Sequence, residues 1–189
     1  CYSFLDKIRT QFAAQGAKYL VFRNNVAIDV EKIQRAEAHK KVRSTWGFHL
    51  NLTCARFVPD YVLIRRAIPW FIEQLPIHSS GKVGCDVAGV DVDFQISQRA
   101  DFIEDDANNN TMACRPIFNT RDVAYADEKL FRRVHIIPFD SSMLELPDFL
   151  KTALNIIFLM ALEDGFIDDR FEIYDPVAEI HKISWDLEF

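Results

Sequence analysis

The sequence predicts an α+β domain built on a mostly antiparallel sheet. Three observations carry that reading. Several segments alternate apolar and polar residues with a period of two, which gives strands one polar face. Helical patterns are interleaved with them in no regular β-α-β order, which argues against a doubly wound parallel sheet. The 189 residues are 49% hydrophobic, enough for a core of ordinary size.

In chain order, Ser3 to Ala17 places Phe4, Leu5, Ile8 and Phe12 at helical spacing, with Gly16 as a stop. Lys18 to Phe22 suits a short buried strand. Asp29 to Arg43 is rich in Glu, Lys, Arg and Ala and reads as a solvated helix or an insertion. After Trp46, the residues Phe48, Leu50 and Leu52 alternate with His49, Asn51 and Thr53, a half-buried strand. Tyr61 to Leu75 is a helix in which Pro69 must kink the rod or break it. Ser79-Ser80-Gly81 is a turn. Val90 to Ile96 alternates again, and Asp105 to Asn110 reads as a polar loop because three successive Asn suit neither helix nor strand. Arg132 to Phe139 is a further strand. Pro147 and Asp148 open a long apolar helix that ends near Asp164-Gly165, and Asp175-Pro176 starts a last short one.

The formal charge of −6 gives no global reason to expect nucleic acid or an anionic membrane as partner. Phe149 to Leu162, the most apolar stretch, is shorter than the roughly 20 residues of a bilayer crossing and contains Lys151 and Asn155. Cys1, Cys54, Cys85 and Cys114 lack the spacing of a zinc or redox motif, with Cys54 and Cys114 expected to pack among apolar neighbours. Scattered cysteines suit a reducing cytoplasm. A chain opening at Cys1 rather than Met is expected to be a processed product, or part of a larger polypeptide.

Three constellations could carry chemistry. His49 and Asn51 share one strand face, so an imidazole able to bind metal stands beside a carboxamide able to grip phosphate or ribose. A hydrogen-bonded surface pair is the plainer alternative. Arg133 and His135 repeat the arrangement with a guanidinium fork, and an Arg-His pair on a sheet surface is again the plainer reading. Side by side, the two strands would form a polar floor for a metal-nucleotide. The third joins Gln98-Arg99-Ala100-Asp101 with Arg115 and Arg121, which flank the apolar Pro116, Ile117 and Phe118; such arginines suit phosphate or carboxylate recognition, unless Asp101 and Asp122 neutralise them in a buried network. The acids at 104–106, and Glu163, Asp164, Asp168 and Asp169, read as solvated.

Taken together, Phe94-Gln95-Ile96-Ser97-Gln98-Arg99-Ala100-Asp101, then Arg115 to Asp122, Ala126-Asp127, Arg132-Arg133-Val134-His135, Asp140-Ser141 and Met143 resemble successive signature blocks of the Pup ligase and Pup deamidase/depupylase family. Phe22 to Asn25, Gly47 to Asn51 and Asp175 to Ala178 extend the resemblance over most of the chain. It implies a partial glutamine-synthetase-like fold, a curved and mostly antiparallel sheet with helices packed on one side. Residues 1–189 would be one domain, the central or C-terminal portion of a larger ligase-like catalytic domain.

The family's chemistry is ATP- and magnesium-dependent work at a side-chain carboxyl or amide: ligation, deamidation or depupylation of a Pup-like protein. Carried over by position, His49 and His135 would be magnesium ligands, and Asn51 and Arg133 would contact ATP or ADP, joined by Arg115 and Arg121. The sequence departs from the family pattern at Leu50, where Glu is usual, at Met112-Ala113, where a basic residue is usual, and at Ser142, where Asn is usual. The family's N-terminal block, with its metal-binding Glu strand and catalytic Asp loop, has no counterpart among these 189 residues. A second chain would then complete the site; alternatively, the chain is a non-catalytic paralogue or assembly subunit that binds nucleotide or a partner protein.

Overall fold

The computed structural model describes residues 10, 26–27, 44–85 and 91–188. The expected Ser3–Ala17 helix (Thr10 apart), the Lys18–Phe22 strand and the charged Asp29–Arg43 stretch lie outside the described residues. Along the chain run β1 (Val26–Ala27), β2 (Ser44–Thr45), β3 (Leu50–Ala55), α1 (Asp60–Glu73), α2 (Leu75–His78), β4 (Lys82–Cys85) and β5 (Asp91–Gln95). There follow β6 (Asp105–Asn108), β7 (Pro116–Asn119), β8 (Phe131–Ile136), α3 (Glu145–Glu163) and α4 (Pro176–Trp185).

The central sheet has the order β3-β8-β7-β6, while β1-β2 and β4-β5 are separate two-stranded ribbons. All pairs are antiparallel except β6 with β7. The α+β class expected from the interleaving is the one observed. β3 sets Asn51 opposite His135 and Thr53 opposite Arg133, so the polar sets of both strands fall on one face.

The other face carries the core. Leu50, Cys54, Val134, Ile136 and Phe118 are buried with Leu63, Ala67 and Phe71 of α1 and Leu159 and Leu162 of α3. Phe71 sits at the centre: its ring lies parallel to Phe118 at 6.4 Å and edge-on to Phe139 and Phe158 at 6.4 and 6.5 Å. α1 runs through Pro69 without a break, and the rod ends at Gln74 instead. A proline inside a helix costs about 3 kcal/mol, but Pro69 is itself buried among Ala67, Ile68, Phe71 and Ile72, whose burial offsets that cost. α4 is opened by Asp175, whose carboxylate accepts from the Ala178 N–H ahead of Pro176. No described helix is long and apolar enough to cross a membrane.

Several local expectations need correction. Asp105–Asn108 is a strand rather than a loop, because parallel pairing with the apolar β7 satisfies its backbone while Asn108 Nδ2 donates to Asp105 and to the Cys114 carbonyl. β8 stops at Ile136, short of Phe139. Cys114 is exposed, in a left-handed conformation (φ 45°), while Cys54 is packed as expected. Glu163 is half-buried rather than freely solvated: its carboxylate accepts from the Ala55 N–H at 2.6 Å and fastens the end of α3 to the end of β3.

Between α2 and β4, Ser79-Ser80-Gly81 is irregular backbone, and Gly81 is its left-handed residue (φ 70°). Truncating the central ring, Phe71→Ala, is expected to lower stability by about 3–5 kcal/mol, read as a fall in the urea unfolding midpoint.

Candidate functional site

The polar face of β3 and β8 gathers four of the expected residues. His49, just ahead of β3, brings Nδ1 to 3.3 Å from Nε2 of His135 on β8, with the rings tilted and 5.3 Å apart. Beside them, Arg133 Nε donates to Asn51 Oδ1 at 2.7 Å. The arginine is fixed from two more sides. Its backbone N–H donates to Asp122 Oδ1, and its guanidinium lies over the Tyr125 ring at 5.4 Å. Asn51 is exposed; His49 keeps an open edge to solvent, but its ring packs against the buried His135, whose Nδ1 has no hydrogen-bond partner.

The electrostatics are one-sided. Burial, and then the charges of Arg99, Arg115 and Arg133, push His49 down to about 4. Burial, followed by Arg133 and His49, brings His135 to about 4 as well. Both imidazoles are therefore neutral near pH 7. The site combines neutral ring nitrogens with a concentration of guanidinium charge, the arrangement that a polyanion would neutralise.

Arg99, which the sequence groups with Arg115 and Arg121 but not among the expected nucleotide contacts, belongs to that cluster. Its side chain is almost fully buried: Nη1 reaches Thr45 Oγ1 and Nη2 reaches the Ile137 carbonyl. Burial pulls it down to about 10. It packs so closely under Gly47 that a Cβ there would lie 2.2 Å from Arg99 Nε. The glycine two residues before His49 is thus the space that lets Arg99 in. The signal that could have found this was the glycine itself, at a place where only a close approach requires one.

Arg99 is anchored through Asp140. That buried carboxylate accepts from the N–H groups of Ser80, Gln98 and Arg99 and from Ser97 Oγ, at 3.0 to 3.2 Å. Burial raises its pKa while these donors oppose the rise. The Asp140 carbonyl accepts from Lys151 Nζ, which also reaches Ser142 Oγ and Asp148 and lies over the Phe48 ring at 5.0 Å. Phe48 in turn donates its N–H to the Phe139 carbonyl, and it precedes His49. Ser142, one of the departures from the family pattern, is therefore part of this packing. Leu50, another, points into the core and away from the polar floor.

The remaining expected residues divide. Arg115 is half-buried just ahead of β7, near enough for its charge to act on His49. Arg121 is exposed, and among the described residues its guanidinium has no acid partner. The buried network of Asp101 and Asp122 with these arginines does not form. Asp101 pairs with Lys82 at 2.7 Å and accepts from Gln95 and Trp185, and Asp122 pairs with Arg56 at 2.8 Å.

A family model described as Pup-ligase protein matches residues 12–189. The chain belongs to that family. It is 36% identical over 143 residues to the depupylase of Acidothermus cellulolyticus, covering 76% of this chain and 28% of that one. It is also 31% identical over 184 residues to the Pup–protein ligase of Bifidobacterium longum, covering 94% and 34%. Among solved structures, the Pup ligase PafA in complex with ADP superposes with a TM-score of 0.71 at 27% identity, over 95% of this chain and 37% of that one. The complex between Pup and its ligase PafA gives 0.70 at 28% identity, over 94% and 33%. The chain thus spans about a third of the length of these relatives.

Gly47→Ala should force Arg99 from a fully packed place. A loss of about 1–3 kcal/mol is expected in chemical unfolding, as for other overpacked sites. A second expectation concerns acid. His78, buried against Gln74 and edge-on to Phe139, is pushed down to about 3 by burial and by Lys151. A histidine with a depressed folded pKa contributes stability that is complete above its unfolded value of about 6.5 and lost as pH falls below it. The melting temperature should fall as pH drops from about 6.5 towards about 3, and His78→Gln should flatten that slope.

Proposed function

We propose that this chain supplies the nucleotide-binding floor of an enzyme of the Pup ligase and depupylase type. The reaction is ATP-dependent chemistry at a side-chain carboxyl or amide of a Pup-like protein or another protein substrate. The observation that carries this reading is the four-residue cluster of His49, Asn51, Arg133 and His135 on one sheet face, with Arg99 and Arg115 adding charge behind it. The family membership and the PafA complexes with ADP and with Pup support it.

In this reading Arg133, preset by Asn51, Asp122 and Tyr125, offers its remaining N–H groups to phosphate oxygens without first being ordered. Arg99 and Arg115 lower the cost of gathering phosphate charge at His49. The two neutral imidazoles share one hydrogen bond, which leaves His135 Nδ1 to take a further partner when the site fills.

Magnesium fits these residues less well. It takes oxygen ligands, whereas the floor offers two imidazoles among three guanidinium groups. Among the described residues no three His, Cys, Asp or Glu side chains converge. The described residues alone do not make a magnesium site. An ion arriving with the nucleotide would take oxygens from its phosphates and from the part of the fold outside the matched third. That remainder, in the same polypeptide or in a second chain, would also carry the group that attacks or deprotonates.

Magnesium-ATP should raise the melting temperature of the chain, since a ligand at a hundred times its Kd stabilises by about 2.7 kcal/mol. Arg133→Ala and His135→Ala should each remove the shift. Identical melting curves with and without ATP or ADP, in the presence and absence of magnesium, would sink the nucleotide-floor reading.

A further inference from the structure

α3 buries a lysine. On the same helix as the buried Phe158, Leu159 and Leu162, the side chain of Lys151 is 0% exposed. An ammonium withdrawn from water is costly unless it is hydrogen-bonded, and apolar residues of similar volume commonly serve packing as well or better. Packing alone therefore gives no reason for a charge at this position. The reason lies in what the ammonium holds.

Its N–H donors meet the Asp140 carbonyl at 2.5 Å, Ser142 Oγ at 2.8 Å and Asp148 Oδ1 at 3.0 Å. The Phe48 ring lies 5.0 Å away, within cation–π range. Two of these partners lead to the floor. Phe48 adjoins His49, and its N–H donates to the Phe139 carbonyl at 2.9 Å. Asp140 receives Lys151 on its carbonyl, while its carboxylate accepts from the N–H groups of Ser80, Gln98 and Arg99. One buried ammonium is thus clamped between the residue before His49 and the residue that anchors Arg99. The floor depends on both. His49 Nδ1 lies 3.3 Å from His135 Nε2, and the charge of Arg99 acts on His49.

We propose that Lys151 is a positioning residue for the floor, holding Phe48 and Asp140 so that His49 and Arg99 are set before a ligand arrives; its consequence for ligand binding rests on the nucleotide reading given above. An apolar side chain could fill the same volume. It could not direct a carbonyl, a hydroxyl and an aromatic face toward one point. The carbonyl drawn to the ammonium fixes the peptide plane after Asp140, which limits where that residue's carboxylate can point. Binding groups that are ordered in advance need no further ordering when the site fills. Lys151 acts on the floor through Phe48 and Asp140, from within the core.

The test follows the histidine ring nitrogens of the full chain by NMR without ligand, and measures ADP binding by calorimetry. Lys151→Met keeps the length of the side chain and removes the ammonium. The hydrogen bond shared by His49 and His135 should loosen, moving both rings toward the averaged shifts of freely exchanging neutral imidazoles. ADP affinity should fall about tenfold or more, the scale seen when a group behind a binding side chain is lost. Leu162→Ala lies about 16 Å further along the helix and is the comparison. It should lower the melting temperature and leave ring shifts and ADP affinity at wild-type values. Phe48→Leu keeps the oxygen partners of the ammonium, should disturb His49 in the same direction, and serves where Lys151→Met does not fold. Wild-type ring shifts in Lys151→Met overturn the proposal, as do wild-type shifts in Phe48→Leu where Lys151→Met does not fold. Equal disturbance in Leu162→Ala overturns it too, because Lys151 would then serve stability alone, and so do rings already free in the wild type. A wild-type chain that binds no ADP sinks the nucleotide reading instead, and the ring shifts still decide whether Lys151 positions His49.

Discussion

The buried carboxylate of Asp140 is the constraint on which the polar floor depends. It lies just after β8 and gathers donors from the turn before β4 and from the segment after β5. Its own carbonyl draws in Lys151 from α3. Four stretches distant in sequence are thus held at one point in a low-dielectric interior, where each satisfied bond is strengthened and each missing one is costly. Arg99 is aimed by that knot, and Gly47 leaves the room Arg99 occupies. The approach to His49 is therefore set from below by groups that never face solvent.

A second constraint is register. In an antiparallel ladder a slip of one residue would exchange the faces of a strand. Pairing Asn51 with His135 and Thr53 with Arg133 keeps the polar members of both strands on one side. The core on the other side enforces that choice, since Leu50, Cys54, Val134 and Ile136 must meet α1 and α3. Stability and chemistry are consequently written into alternate positions of the same two strands. This chain's departure from the family pattern at Leu50 falls on the core half of this division.

The two sides of the sheet also differ in completeness. On the helix side the core around Phe71 is closed, yet the outward faces of α1 and α3 retain an apolar band and a cavity. On the floor side guanidinium charge is gathered around two imidazoles, and among the described residues no three His, Cys, Asp or Glu side chains converge. The chain spans about a third of the length of its relatives.

The amino-acid sequence by itself determined the α+β class, the strands at β3, β5 and β8, the three longer helices, and the shared faces of His49 with Asn51 and Arg133 with His135. Those are consequences of period and of residue type, which are local. Tertiary structure alone decided that β3 and β8 are neighbours, that Asp105–Asn108 becomes a strand against β7, and that Pro69 is tolerated inside α1. It also decided that Asp101 serves Lys82 rather than an arginine, and that Arg99 reaches the site through the gap at Gly47. Each of these depends on a partner distant along the chain, and pairing energy between such partners leaves no periodic trace in the residues themselves.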